Sequence, residues 1–291
     1  MAMNPAFSRI DREAAQGGYA GFGQQQPQPH GYAAPQGSPA FPAGPSETMS
    51  EQQLQDMYNQ ASAGPVDTGR LTLDDVVMKS LMLFGIVLAV TVGTWLFVGE
   101  QPGIAMPVWL LGMFGSLGLS FAIGFSKKVN VGLILTHAVL QGLFLGAVSV
   151  TFNSMFPGVV ATAVVATMAT FAGMFIGWKL GFIRVTSKSR RIFGMVAMGY
   201  LVFMLVNVGA SFLGFGDGWG IYGGQFGWLI ALLGVALASY SLAVDFDSVD
   251  RAVSGGAPEK YSWLLGHGLI ASLVWLYIEF LRLFAILQSS D

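Results

Sequence analysis

The sequence contains no cysteine and little charge. Without a thiol it cannot carry a disulfide framework, a cysteine nucleophile, an iron–sulfur cluster or a Cys-type zinc site. Charged residues make up 10% of its 291 residues, against about 25% in an ordinary soluble domain. A formal net charge of −2 leaves no basic surface for nucleic acid. Histidine is scarce too, and His30, His137 and His267 lie too far apart in the chain to form a local ligand motif. What is abundant is apolar: 53% of the residues are hydrophobic and the mean hydropathy is +0.59. These exclusions leave a membrane protein.

The chain divides into two unlike parts. Pro5, Pro27, Pro29, Pro35, Pro39, Pro42, Pro45 and Pro65 crowd its start, beside the run Gln24, Gln25 and Gln26. Such a segment cannot bury enough apolar surface to offset its ordering entropy, so residues 1–70 are expected to form a disordered tail. Arg9 and Arg12 are followed by no apolar run, so the start does not read as a secretory signal. Residues 71–291 are expected to form an all-α membrane domain. Seven apolar runs approach the ~20 residues that cross a bilayer as a helix: Val76–Val98, Ile104–Phe125, Val129–Phe152, Gly158–Trp178, Ile192–Leu213, Gln225–Val244 and Trp263–Leu287.

Orientation follows from the short loops. Lys127 and Lys128, then Lys179, Arg184, Lys188, Arg190 and Arg191, then Arg251 and Lys260 fall in alternate connections, and the other connections carry neither Lys nor Arg. Basic residues are retained on the cytoplasmic side, so the tail is expected inside a cell membrane and Asp291 outside. Small residues at helical spacing, among them Gly112, Gly115, Gly142, Gly146, Gly173 and Gly177, are expected to let helices approach closely.

Ionisable groups within the runs are costly in hydrocarbon and mark functional positions. Lys79 sits in the first turn of run one and can snorkel to the surface. Asp245 and Asp247 close run six; they stand about 200° apart on a helix, so at most one faces the bundle. A solvated acid just beyond the membrane is the plain alternative for Asp245. Glu279 and Arg282 share one face of run seven and can neutralise each other as a structural ion pair. His137, Gln141 and His267 read as neutral polar groups in helix packing. Gly214-Phe215-Gly216-Asp217 has the short signature of intramembrane aspartyl proteases, but it lies in a glycine-rich loop. No nucleophile elbow, phosphate loop or metal spacing accompanies it. No enzyme activity and no cofactor are expected.

The stretches His137-Ala-Val-Leu-Gln141-Gly142-Leu-Phe-Leu-Gly146-Ala-Val-Ser149, Asp245-Phe246-Asp247 and Leu276-Tyr277-Ile278-Glu279-Phe280-Leu281-Arg282, in this order across seven runs, resemble the Bax inhibitor-1 family, particularly its bacterial YccA-like branch. The likeness covers Leu71 to Leu287. It implies six helices around a central seventh and a pH-sensitive cation leak, with calcium as the ion, attributed to an acid on helix six and another on helix seven. The first acid falls on Asp245, which would then meet the metal ion. The second falls on Glu279 if residues are inserted between the helices, or near Ser272 by an ungapped count; the insertion is favoured because the Ser254–Glu259 loop tolerates length changes. The family's helix-three glutamate appears as Gln141. Two carboxyls in hydrogen-bonding contact would share a proton and titrate together, and losing that proton adds a charge that a cation can satisfy. The bacterial branch also implies an alternative, a non-catalytic regulator that binds a membrane protease.

Overall fold

The computed structural model describes residues 69–126 and 128–289; the expected tail lies outside them apart from Gly69 and Arg70. Seven helices are long and apolar enough to cross a membrane. They are α1 (Leu73–Glu100), α2 (Ala105–Phe125), α3 (Val131–Met155), α4 (Val159–Lys179), α5 (Ser187–Phe212), α6 (Gly227–Ser254) and α7 (Tyr261–Ser289). No strand occurs among the described residues.

Local chemistry starts and stops them. Thr72 caps α1 through a capping box with Asp75, each side chain meeting the other residue's backbone N–H at 3.1 and 2.9 Å. Asn130 caps α3. Thr186 and Ser189 form the same kind of box at α5. That helix therefore starts five residues before the apolar run at Ile192, and Lys188, Arg190 and Arg191 are helical rather than loop residues.

The larger departure is in α6. Its apolar run was expected to end at Val244, yet the helix continues to Ser254 and carries Asp245 and Asp247 in its body. A fall in hydropathy does not end a helix when the polar turn stays paired. Arg251 bonds Asp247 four residues earlier at 3.1 Å. The stop is the Gly255–Gly256 pair, where Gly256 takes φ +66°.

The seventh helix is central and packs against α1, α3, α4 and α6. Gly142 and Gly146 bring α3 onto α1: a Cβ at Gly146 would lie 2.5 Å from Thr94 Cβ and 2.7 Å from the Thr91 carbonyl. Helices in lipid gain little from apolar burial against each other, so such close backbone approach supplies much of their packing energy. Between α5 and α6 the glycine-rich loop contains two short 3₁₀ turns, Phe215–Gly218 and Gly220–Gly223. Asn207 Oδ1 accepts from the Ile221 N–H at 2.7 Å, and Tyr222 is buried. At the basic end, residues 69–71 are fastened to the α6–α7 turn: the Leu71 N–H donates to the Ala257 carbonyl at 2.7 Å and the Glu259 N–H to that of Gly69 at 3.0 Å.

Candidate functional site

Asp245 sits in the body of α6 at 4% exposure, so it faces the bundle rather than water. Its carboxylate accepts a short hydrogen bond from the Ser272 hydroxyl of α7. Arg190 of α5 reaches the same stretch of α6 through Asp247 and Ser248. The partner on the central helix is therefore the serine of the ungapped count, and not Glu279.

Glu279 lies farther along α7. Seven residues separate it from Ser272, about 10 Å at roughly 1.5 Å per residue. Across the interface it meets Gly234 of α6, where any side chain would displace the Glu279 Oε2 and the Tyr200 hydroxyl. Gly234 precedes Asp245 by about 16 Å of helix. The two acids thus occupy different levels of the bundle because α6 and α7 run antiparallel, so that moving toward the C terminus of one moves away from the C terminus of the other.

At its own level Glu279 is satisfied. Trp275 Nε1 donates to Oε1 at 2.9 Å, and Oε2 accepts from Tyr200 at 2.8 Å and from Arg282 Nη1 at 2.6 Å. Arg282 also reaches the Tyr200 and Tyr222 hydroxyls at 3.3 and 3.4 Å, with its guanidinium 5.0 Å from the centre of the Tyr222 ring. The two tyrosine hydroxyls are 2.8 Å apart. Tyr222 belongs to the folded-back connection; burial pushes its phenol above the usual value, with the Arg282 charge opposing. This is a structural ion pair roofed by a loop, and its carboxylate is already committed.

Asp247 faces away from Ser272. It bonds Arg190 at 2.5 Å and Arg251 at 3.1 Å, and Arg190 Nη2 also reaches Ser248 at 3.5 Å. Gln141 is buried on α3, one turn beyond His137. The sequence reading did not anticipate Arg190, Tyr200, Tyr222 or Trp275, nor the approach of His137 to His267, whose ring centroids are 4.4 Å apart. An arginine in the body of a helix was the available signal for Arg190, obscured by placing the helix start too late. The aromatic hydroxyls carried no signal, since tyrosine near a run end equally suits a membrane interface.

As a site, the Asp245 level offers one buried carboxylate, one hydroxyl and a neighbouring guanidinium. Such a group can exchange a proton for a cation. Among the described residues no three of His, Cys, Asp and Glu gather as a metal centre. Compared with known families, residues 4–289 match the model described as Bax inhibitor 1 like, a span that takes in the tail as well as the seven helices. No curated protein matches the chain.

Proposed function

The chain belongs to the Bax inhibitor 1 like family and is an integral, multi-pass membrane protein; from that premise we propose that it is a pH-sensitive cation leak, with calcium as its ion, whose pathway passes Asp245. One observation carries the reading: an acid at 4% exposure in the body of a membrane-spanning helix, hydrogen-bonded to a neutral hydroxyl. A buried carboxylate needs a proton or a cation to offset its charge. Proton and cation then compete for Asp245, and acidity sets how often a cation is admitted. Ser272 positions the carboxylate. Arg190, held by Asp247, supplies a fixed positive charge beside the route. The proposed orientation puts the basic end of the bundle in the cytoplasm and the C terminus outside the cell membrane.

Calcium flux into liposomes holding the full chain, followed across a pH series, tests this. Wild type is expected to leak in a pH-dependent manner and Asp245→Asn to lose that dependence, while Asp247→Asn keeps it. An unchanged profile for Asp245→Asn, or a dependence that vanishes only in Asp247→Asn, overturns the assignment. The alternative reading is a regulator engaging a membrane protease through the tail. Under it, deleting residues 1–70 abolishes activity and Asp245→Asn does not.

A further inference from the structure

A second polar cluster stands apart from Asp245. His137 of α3 and His267 of α7 are both buried, with ring planes at 85° and centroids 4.4 Å apart. Ser120 Oγ of α2 lies 2.8 Å from His137 Nε2. The other nitrogen of that ring, Nδ1, is fully buried and has no hydrogen-bond partner, and the ring as a whole is 1% exposed. Two more unpartnered buried atoms belong to the same region, the hydroxyls of Ser80 and Ser262. Ser80 packs on Gly266, the residue before His267, and Ser262 lies one helical turn before Gly266.

A buried polar atom without a partner is costly, and folded proteins rarely keep several together unless something else meets them. In the tautomer whose Nε2–H donates to Ser120, His137 presents the Nδ1 lone pair to the bundle. That is the arrangement of a metal-bound imidazole, in which one nitrogen binds the ion and the other N–H is held by an oxygen. The ring spacing agrees. With a metal–nitrogen bond of about 2.1 Å, each ring centre lies about 3.2 Å from a bound ion, so rings 4.4 Å apart can share one ion with their nitrogens side by side.

We propose that His137 and His267 form a binding site for one transition-metal dication of the imidazole-preferring class, Zn²⁺, Cu²⁺ or Ni²⁺. No carboxylate or further histidine joins them among the described residues, so hydroxyls or water complete the shell and binding is reversible. Neutral nitrogen donors select against Ca²⁺ and Mg²⁺, which require oxygen ligands. The site is independent of the proposed leak and uses none of its residues.

The test uses the full chain in detergent, carrying His30→Ala to remove the remaining histidine. Cu²⁺ is titrated in and its electron paramagnetic resonance spectrum read for nitrogen couplings. One ion per chain with two imidazole nitrogens is expected. His267→Ala should leave one nitrogen and weaken binding at least about tenfold, and Ser120→Ala, which keeps both rings but frees the tautomer, should weaken it by about ten- to a hundredfold. Asp245→Asn should bind as the parent does. Absence of saturable binding up to about 1 mM, a nitrogen count unaltered by His267→Ala, or displacement of Cu²⁺ by excess Ca²⁺ overturns the proposal. Should His137→Ala fail to fold, the Ser120→Ala and His267→Ala results decide it.

Discussion

Glu279→Gln separates the two acids of the bundle. Glu279 is 1% exposed and accepts from Trp275, Tyr200 and Arg282. A glutamine of the same shape loses the negative charge and turns one oxygen into a donor that faces another donor. Arg282, with 15% of its side chain exposed, then stays as a cation inside a membrane helix without its anion. Removing one partner of a buried pair costs about 3–5 kcal/mol, a large share of the roughly 5–15 kcal/mol that holds a domain folded. Arg282→Met removes the stranded charge, so the double variant should be more stable than Glu279→Gln alone. Equilibrium unfolding in mixed detergent micelles, followed by tryptophan fluorescence, gives the four corners of the cycle. A coupling of about 2 kcal/mol or more is expected; effects additive within about 0.5 kcal/mol would mean that the pair does not act as a unit. Calcium flux supplies the second arm. Glu279 lies about 10 Å along α7 from Ser272, so the pH midpoint of the leak should not move in the variant. A clear shift of the midpoint in Glu279→Gln, or a loss of pH dependence like that expected of Asp245→Asn, would show coupled carboxyls and refute the separation of levels.

Gly146→Ala should cost about 1–3 kcal/mol because its Cβ would press on Thr94 at 2.5 Å, whereas Gly173→Ala, with nothing within 4 Å, should be neutral or stabilising by up to about 1 kcal/mol; the same unfolding assay reads both. Burial raises the Tyr222 phenol above 10.0, so its contribution to stability is present in full below the unfolded value and is lost as pH rises through the folded one. Unfolding measured at rising pH should show a decline above about pH 10 that is shallower in Tyr222→Phe. Reporter fusions after Gly103, Ser187 and Asp291 should read outside, inside and outside, and an inside signal at Asp291 would refute the proposed orientation.

Much of the architecture was legible without coordinates. Seven helices follow from hydropathy alone because hydrocarbon offers no partner for an open backbone, so each apolar run of about 20 residues must close its own hydrogen bonds. Their ends were less legible. The start of α5 and the last ten residues of α6 are polar and helical, held by a capping box and by the Asp247–Arg251 pair, and hydropathy does not register either device. Asp245 stood out as an acid at the edge of an apolar run, and the i, i+3 spacing of Glu279 and Arg282 made their pairing readable along a single helix. What meets Asp245 was not readable. Its contact with Ser272 depends on how far antiparallel α6 and α7 slide past each other, and a turn of helix more or less would exchange one partner for another. The same holds for His137 and His267, which are 130 positions apart in the chain and touch only because α3 packs on the central α7. Helix formation is local and was written in composition and period; the level at which two helices cross is a property of their whole contact surface, and only the tertiary structure decided it.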